Sequence, residues 1–427
     1  MKQNKIQIPE GYKNSALGII PNDWEVKKVK ELVKYIGGGA FSSNDSCDIG
    51  VKWLKIANVG INEIKWNENC FLPFNYLDKY SEWSLLEGDI VMALTRPILD
   101  GKLKISFLNK RDTPALLNQR VAKIVTSNIC NNVFIYYSMQ MTFFISEMES
   151  QMLGTDPPNA SFDNLYKQSL LLPPLPQQQK IADILGTWDE AIEKQSKLID
   201  KLTDRKRGLM QQLLTGKKRL AGFSEEWKEV RLGEIGETFT GLTGKTKDNF
   251  GTGDPFITYM NVYNSYQINT TQMDYVCLEK GETQNLVKYG DIFFTISSET
   301  PHEVGMSSVL LDEIENTYLN SFCFGYRLYN FTTLIPEFAK YYLRSKGIRL
   351  EMYKLAQGST RFNLSKSEVL KIKVILPSLP EQTAIANILT AADKEIELAK
   401  SKLELLRSQK SGLMQQLLTG KTRVKID

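Results

Sequence analysis

Apolar residues recur at alternating steps of three and four along two stretches of the chain. The first stretch begins at Ile181 and reaches Leu213, and the second begins at Ile385 and reaches Leu417. A seam of this kind, held over about five heptads, is typical of a coiled-coil helix. The pattern therefore predicts two long helices whose seams can pair with each other. Packing of each stripe on its own globular domain is the alternative.

Start and stop signals bound both stretches. Prolines lie just before each one, where the first turn of a helix tolerates them. Gly216 and Gly420 follow the last apolar positions, where glycine commonly ends a helix. Polar residues occupy three seam positions and are expected to help set the register: Gln195, Lys206 and Lys410. Extension of the two lysines to the surface of the coiled coil is the alternative.

The rest of the chain has short apolar runs between turn residues, which predict strands, and a few helical patterns. It lacks the regular strand–helix alternation of a nucleotide-binding sheet, which favours an α+β fold. The predicted strands are residues 90–94, 121–125, 292–296 and 321–329, and the predicted helices are residues 133–141 and 337–344.

An internal repeat organises these elements. Residues 172–217 align without a gap on residues 376–421, with 24 identities in 46 positions. Weaker matches, such as Gly88-Asp89-Ile90 with Gly290-Asp291-Ile292 and Leu117-Asn118 with Leu319-Asn320, keep offsets of 202 to 204. The order is thus domain, helix, domain, helix. The predicted boundaries are 1–172, 173–217, 218–376 and 377–427.

Composition narrows the classes of protein. The chain has 53 Lys and Arg and 49 Asp and Glu, which gives a net charge of +4. This balance excludes a strongly basic, histone-like protein but permits DNA binding through a local basic surface. A single histidine, His302, excludes zinc sites that need two, and no metal site is predicted. Five scattered cysteines indicate a reducing compartment, and no apolar run approaches a membrane span. We therefore expect a cytoplasmic protein without a membrane segment.

Motifs for catalysis are absent from the sequence. There is no phosphate-binding loop and no glycine-rich cofactor loop. Asp156-Pro-Pro-Asn159 resembles the motif with which amino-methyltransferases grip a flipped adenine, but Asn159 replaces the stacking aromatic residue. We interpret this segment as a polar loop that joins domain and helix, and the chain as a protein that is not an enzyme.

The repeat predicts a binding geometry instead. If the two helices pair antiparallel within the chain, the two domains are related by a pseudo-twofold axis and present equivalent faces in the same direction. B-DNA offers equivalent groove faces every ~34 Å. Divergent domains joined by similar helices would suit two different half-sites separated by a fixed, unread spacer.

Three kinds of motif are shared with a known family: Leu17-Gly-Ile-Ile-Pro-Asn-Asp-Trp24, the Leu-Pro-x-Leu-Pro-x-Gln segments at 172 and 376, and Gly-Leu-Met-Gln-Gln-Leu-Leu-Thr-Gly-Lys at 208–217 and 412–421. With them the chain resembles the specificity subunits of type I restriction–modification systems. The resemblance covers nearly the whole chain. The resemblance implies two tandem target-recognition domains and an antiparallel coiled-coil spacer.

The same resemblance implies function and partners. Such a subunit reads a bipartite site in double-stranded DNA, one half per domain, and is not itself catalytic. It recruits two adenine-N6 methyltransferase subunits and can also join translocating endonuclease subunits. This chain is expected to bind no cofactor, because S-adenosylmethionine belongs to the methyltransferase and ATP with Mg²⁺ to the endonuclease.

Basic and polar residues on domain loops are the candidates for DNA contact, although each is also a plausible solvated surface residue. Arginine would read guanine and lysine would hold phosphates. The candidates in the first domain are Arg96, Lys102, Lys104 and Arg111. Those in the second are Lys245, Lys247, Tyr263, Tyr266, Ser297, Ser298 and Arg361.

The helix ends carry a second set of candidates, for contact with the partner subunits. Their identity in both copies exceeds what seam packing requires, so both copies are predicted to contact the same kind of partner; a recent duplication with little drift would also explain it. They are Gln211, Gln212, Thr215 and Lys217, with Gln415, Gln416, Thr419 and Lys421.

Two other functions compete with DNA specificity. A coiled-coil scaffold that holds two protein-binding domains and never touches DNA would fit the modest net charge. A self-sufficient methyltransferase with its own DNA reader is disfavoured because the cofactor loop is missing. Gel-shift measurements with the methyltransferase present would separate the first alternative from DNA specificity.

Overall fold

The structure, a computed structural model, describes residues 8–66, 70–152, 154 and 156–426. The chain divides into two compact units: unit 1 is Met1–Gln195 with Lys402–Asp427, and unit 2 is Ser196–Ser401. Each unit combines antiparallel and mixed sheets with helices, which confirms the α+β prediction. No helix among the described residues has the length and apolar character needed to cross a membrane.

Unit 1 is built from short strands joined by turns and short helices. The strands are β1 (Tyr12–Ser15), β2 (Gly18–Pro21), β3 (Glu25–Lys28), β4 (Val33–Gly37), β5 (Val51–Leu54), β6 (Phe71–Leu72), β7 (Ser84–Leu85), β8 (Ile90–Ala93), β9 (Ile98–Leu99), β10 (Lys102–Leu103), β11 (Ile105–Phe107), β12 (Ala115–Leu117), β13 (Val121–Thr126) and β14 (Ser169–Leu172). The helices are α1 (Val29–Leu32), α2 (Tyr76–Lys79), α3 (Asn132–Ser138), α4 (Thr142–Gln151), α5 (Phe162–Lys167) and α6 (Leu175–Leu213), which continues into unit 2.

Unit 2 repeats this plan with fewer strands. The strands are β15 (Lys228–Arg231), β16 (Gly236–Thr240), β17 (Phe250–Ile257), β18 (Asp274–Val276), β19 (Ile292–Thr295), β20 (Ser297–Ser298), β21 (Ser307–Val309), β22 (Tyr318–Leu319), β23 (Cys323–Leu328), β24 (Phe362–Asn363) and β25 (Lys373–Leu376). The helices are α7 (Leu232–Ile235), α8 (Tyr259–Asn264), α9 (Pro336–Tyr342), α10 (Lys346–Leu355), α11 (Lys366–Leu370) and α12 (Leu379–Leu417), whose second half belongs to unit 1.

The central sheets of the two units have the same topology. In unit 1 the strand order is β11-β8-β13-β4, and in unit 2 it is β21-β19-β23-β16, antiparallel throughout. Strands β8 and β19 are buried at every residue, since both faces of each strand are covered; β8 has four apolar side chains and β19 has three and a threonine. A second sheet in each unit contains one parallel pair, β5 with β12 and β17 with β22. The predicted strands and helices of both domains are thereby confirmed.

The weaker sequence repeat corresponds to structural contacts that recur in both units. Asp89 accepts a hydrogen bond from Lys123 at 2.6 Å, and the equivalent Asp291 pairs with Arg327 at 2.7 Å. Both aspartates also cap the preceding turn through a backbone N–H. The Gly-Asp-Ile motif therefore fixes the start of the central strand in each unit.

The Leu-Pro-x-Leu-Pro-x-Gln segments attach the long helices to the domains. Gln178 is buried, donates to the carbonyl of Pro173 at 2.8 Å and accepts the N–H of Asn131 at 2.8 Å. Gln382 makes the equivalent bonds with Pro377 at 3.0 Å and Ile335 at 3.1 Å. The glutamine thus ties the first turn of each long helix to the loop before a domain helix, α3 or α9.

The two long helices pack together along the predicted seam, where every seam position is buried or half-buried. Within unit 2, Lys206 contacts Asp393 at 2.5 Å and Arg219 contacts Glu381 at 2.7 Å. The pairing is antiparallel, because Arg219 follows Lys206 in the sequence whereas its partner Glu381 precedes Asp393. In unit 1 the partners are Asp189 and Lys410, again at 2.5 Å. The predicted antiparallel coiled-coil pairing is confirmed in each unit.

A buried lysine, an aspartate and a tyrosine meet in each unit. In unit 1 the Tyr137 hydroxyl donates to Asp189 at 2.5 Å, and the Lys410 ammonium lies 4.8 Å from the centre of the Tyr137 ring. Burial and the aspartate raise the pKa of Tyr137, so the phenol stays protonated. Residues at the repeat-equivalent positions, Tyr341, Asp393 and Lys206, make the same contacts in unit 2.

In each unit the C-terminal end of a long helix packs against a tryptophan near the start of the domain. Gly420, with φ of +71°, lies against Trp24 in unit 1, and Gly216, with φ of +68°, lies against Trp227 in unit 2. Both glycines adopt the left-handed conformation expected where a helix ends. Arg423, beyond Gly420, pairs with Asp23 at 2.6 Å.

Candidate nucleic-acid interface

A cavity of about 350 Å³ opens beside the end of strand β8 in unit 1. The Thr95 hydroxyl donates to Asn159 Oδ1, and the N–H of Arg96 donates to the carbonyl of Pro158 at 2.7 Å. The loop that contains Asp156-Pro-Pro-Asn159 is thus one wall of the cavity. We call this the Thr95 cavity; its lining residues are Leu94, Thr95, Gln119, Arg120, Pro157, Asn159 and Ala160.

Positive charge is concentrated around the Thr95 cavity. Arg120 lines it, and the exposed Arg96 follows Thr95 directly. Arg96 has φ of +47°, a left-handed conformation that is uncommon outside glycine and recurs at functional sites. Burial first, and then the charge of Arg96, lower the pKa of Lys104. Two arginines and a lysine close together would favour an anionic ligand.

All four predicted residues of the first domain lie outside the cavity lining, although Arg96 directly follows Thr95. Lys102 is exposed on strand β10, two residues before Lys104. Arg111 is exposed in the turn before strand β12, and its carbonyl accepts from Lys52.

Unit 2 has a cavity of about 470 Å³ at the end of strand β19. Four of the predicted residues, Tyr263, Ser297, Ser298 and Arg361, come together in its lining. Strand β20, which carries both serines, pairs with β24 immediately after Arg361. We call this the Ser298 cavity; the other lining residues are Tyr259, Met260, Glu299, Glu303 and Phe322.

A carboxylate is the centre of the polar contacts in the Ser298 cavity. Glu303 Oε2 accepts from Ser298 Oγ at 2.6 Å, and Glu303 Oε1 accepts from the Tyr263 hydroxyl at 2.9 Å. Hydrogen bonds from Ser298 first, and then from Thr300 and Tyr263, hold the pKa of Glu303 below its usual range. Glu303 is therefore ionised at neutral pH and can only accept hydrogen bonds.

The remaining candidates of the second domain lie elsewhere in unit 2. The Lys245 ammonium pairs with Glu282 and donates to the carbonyl of Cys277 at 3.0 Å. Lys247 is exposed in the turn before strand β17. The Tyr266 ring is half-buried against the long helices, with the Lys206 ammonium 4.3 Å from its centre.

The candidates at the helix ends lie on the surface. Gln211, Gln212, Thr215 and Lys217 are exposed, as are Gln415, Gln416 and Lys421, whereas Thr419 is half-buried. The hydroxyls of both threonines donate to a backbone carbonyl one turn earlier, at 2.7 Å from Thr215 and 2.5 Å from Thr419. In the second copy the Gln415 amide donates to the Thr142 hydroxyl at 3.4 Å, and the Gln416 amide oxygen accepts from the Thr422 hydroxyl at 3.2 Å.

The two cavities are formed by repeat-equivalent positions with unlike side chains. Thr95 corresponds to Ser297 and Arg120 to Phe322, each at an offset of 202, and Pro157 corresponds to Arg361 at an offset of 204. Each lining contains one arginine, but unit 1 adds two amide side chains, whereas unit 2 adds two glutamates and three aromatic rings. The same architecture thus provides two chemically different surfaces.

Sequence reasoning missed Gln119 and Arg120 in unit 1 and Glu303 and Phe322 in unit 2. A signal for three of them was present. Gln119 and Arg120 directly follow the repeated Leu117-Asn118, and Phe322 comes soon after Leu319-Asn320. Residues that diverge immediately after a repeated pair mark a preserved turn with altered chemistry. Glu303 has no such signal, because no repeated pair lies beside it in the sequence.

Comparison with known proteins gives consistent matches. A family model described as the type I restriction modification DNA specificity domain matches residues 21–203 and 224–407. The type I restriction enzyme MjaVIII specificity subunit of Methanocaldococcus jannaschii is 40% identical over 212 residues, which are 49% of this chain and 50% of that subunit. The putative MjaX specificity subunit of the same organism is 24% identical, and the match covers 97% of both chains.

A solved structure shows the same fold. The S subunit of a type I restriction–modification system from M. genitalium is 16% identical, with a TM-score of 0.55. The match covers 95% of this chain and 97% of that chain.

Proposed function

Because the chain belongs to the type I restriction–modification DNA specificity family, whose members are non-catalytic recognition components, we propose that it reads a bipartite DNA site. Unit 1 reads one half-site and unit 2 reads the other. The observation that carries this proposal is the pair of cavities at repeat-equivalent positions with different linings. Equivalent placement suits the same task, and different chemistry suits different bases.

The basic residues around the Thr95 cavity support two kinds of DNA contact in unit 1, with bases and with phosphates. Arg96 and Arg120 would read base edges, because a guanidinium forms a bidentate contact with guanine. Lys102, which lies outside the cavity lining, would hold a phosphate and fix the register. Lys247 would do the same for unit 2.

The proposal includes a fixed spacer and partner subunits. The paired helices α6 and α12, each of 39 residues, would set the distance between the half-sites, in the predicted pseudo-twofold arrangement. Two adenine-N6 methyltransferase subunits, which bind S-adenosylmethionine, would join the complex. Endonuclease subunits that use ATP and Mg²⁺ can join as well.

One experiment tests the bipartite readout. The chain is co-expressed with the type I methyltransferase subunit of the same genome, and N6-methyladenine is mapped by long-read sequencing. The expected result is a single motif with two specified halves and an unspecified gap of constant length. Methylation without such a motif would contradict the proposal. Failure of the complex to shift any duplex would favour the protein-binding scaffold instead.

Contact with the methyltransferase is tested separately at the helix ends. Exchanging Gln211 and Gln415 for glutamate places a charge where both copies present an exposed amide, and should impair co-purification of the methyltransferase. Gln409→Glu is the matched control, because Gln409 is exposed on α12 and its repeat counterpart is Arg205. Unchanged co-purification of the double variant would refute this contact.

A further inference from the structure

We propose that Glu303 is the base-discriminating group of unit 2 and accepts a hydrogen bond from the exocyclic N4 amine of a cytosine. This inference rests on the proposed function, since it names the chemistry of the base that unit 2 would read. It assigns a specific base pair, C·G, to one position of one half-site.

The first step is the identity of the acceptor. Glu303 lies in the lining of the Ser298 cavity, and both its carboxylate oxygens are oriented by hydroxyl donors, Ser298 and Tyr263. Each carboxylate oxygen accepts more than one hydrogen bond. These hydroxyls and that of Thr300 therefore hold the carboxylate in place, and three donors leave acceptor capacity for a ligand.

The second step is the rigidity of the loop that carries Glu303. Arg349 on helix α10 donates to three carbonyls of this loop: Gly305 at 2.5 Å, His302 at 2.6 Å and Val304 at 2.8 Å. The carbonyl of Glu303 itself accepts from the Thr295 hydroxyl at 3.1 Å. A group held by both its backbone and its side chain is suited to selecting one partner over another.

The third step excludes phosphate as the ligand of this carboxylate. Glu299 and Glu303 both line the cavity and would repel a phosphate, while Arg361 is the cation in the lining. A DNA group that binds here must donate a hydrogen bond. In the major groove the donors are the amines of cytosine and adenine, whereas guanine and thymine present acceptors.

The fourth step separates cytosine from adenine. Adenine presents its N7 acceptor beside the N6 amine, and that lone pair would face a carboxylate with no hydrogen to offer. Cytosine presents the N4 amine with no acceptor on its own major-groove edge, so only the O6 of the paired guanine lies beside that amine. An ionised glutamate therefore favours cytosine, whereas glutamine or asparagine, which donate and accept, would favour adenine.

Apolar side chains at the rim would strengthen the contact. Met260 and Phe322 are 55% and 53% exposed, and Arg361 lies 6.0 Å from the Phe322 ring centre. A bound duplex would cover these side chains and exclude water from the carboxylate. A hydrogen bond to a charged group is worth more at lower local dielectric.

The test compares methylation motifs of the wild-type chain and Glu303→Gln, each co-expressed with the methyltransferase. We expect the wild-type motif to specify cytosine at one position that Glu303→Gln relaxes by about 5- to 100-fold, with a gain for adenine. The other half-site should not change. Glu313→Gln is the matched control, because it removes an exposed carboxylate of unit 2 that lies outside the cavity lining, and it should keep the cytosine.

The outcomes separate this inference from the proposed function. Absence of a bipartite methylation motif with the wild-type chain would refute both the proposed function and this inference. A bipartite motif that Glu303→Gln leaves unchanged would overturn the inference alone. A second measurement needs no variant: the wild-type complex is given a duplex in which 2-pyrimidinone, which lacks the N4 amine, replaces that cytosine. Weaker binding than with the same replacement in the unread spacer is expected, and equal binding would overturn the inference.

Discussion

The contact between Asp189 and Lys410 makes an asymmetric prediction about stability. The Lys410 side chain is only 9% exposed, whereas that of Asp189 is 40% exposed. Asp189→Ala therefore leaves a buried ammonium without its carboxylate, while Lys410→Met leaves a carboxylate that water can reach. The aspartate substitution should be the more damaging of the two.

The magnitude follows from the burial. Removing one partner of a fully buried pair costs about 3–5 kcal/mol, and partial solvation of this site reduces the expected cost of Asp189→Ala to about 2 kcal/mol. That corresponds to a fall in melting temperature of about 4–8 °C for a unit of this size. Lys410→Met should cost less than about 1 kcal/mol, because an apolar side chain of similar volume fills the seam.

Differential scanning calorimetry of the full chain measures both variants and their combination. The double variant Asp189→Ala with Lys410→Met should recover most of the loss, since the stranded charge is gone. The repeat-equivalent pair, Asp393 and Lys206, provides an internal control with the same expected order. A melting temperature of Asp189→Ala within 1 °C of the wild type, or a double variant worse than either single one, would refute the reasoning.

Three further predictions concern other contacts. Glu381 is 1% exposed and accepts two hydrogen bonds of 2.7 Å from Arg219. Glu381→Ala should therefore lower the free energy of unfolding by about 2–4 kcal/mol. A melting temperature equal to that of the wild type would contradict this. The hydrogen bond from Lys245 is the main cause that lowers the pKa of Glu282 from 4.5 to about 2. The contribution of the ionised Glu282 to the free energy of unfolding is therefore complete above pH 4.5 and is lost as the pH falls toward 2. Lys245→Met should move the NMR titration of the Glu282 carboxyl upward, and an unmoved titration would exclude the ion pair. Arg120→Ala should relax one base position by roughly 1–3 kcal/mol in competition binding, whereas an equal loss on all duplexes would make Arg120 a phosphate contact.

The long helices were predictable from the sequence because their stabilising contacts repeat locally. The heptad steps place every seam residue from Ile181 to Leu213 on one face, and prolines and glycines mark the ends. Strands such as β8 and β19 were predictable for a similar reason, since a short run of apolar residues between turns identifies a buried strand.

The composition of the cavities was only partly predictable, because it depends on contacts between distant segments. The sequence predicts Tyr266 as an aromatic residue that faces a DNA groove, and it gives no sign that the ring packs near Lys206 and Tyr341, which are 60 and 75 residues away in the sequence. Glu303 could not be identified, since its partners Ser298 and Tyr263 reach it through loop and helix geometry. Which of the predicted residues touch DNA stays a prediction.

The closure of unit 1 by residues 402–427 has a consequence for synthesis on the ribosome. The Tyr12 hydroxyl donates to the carbonyl of Gly420 at 3.0 Å, so contacts of unit 1 join segments about 400 residues apart. All residues of unit 2 are translated before residues 402–427. Nascent chains usually mature from the N-terminus onward. Here residues 1–195 cannot complete unit 1 until residues 402–427 have been synthesised. All residues of unit 2 are available before that, so unit 2 can complete its fold first.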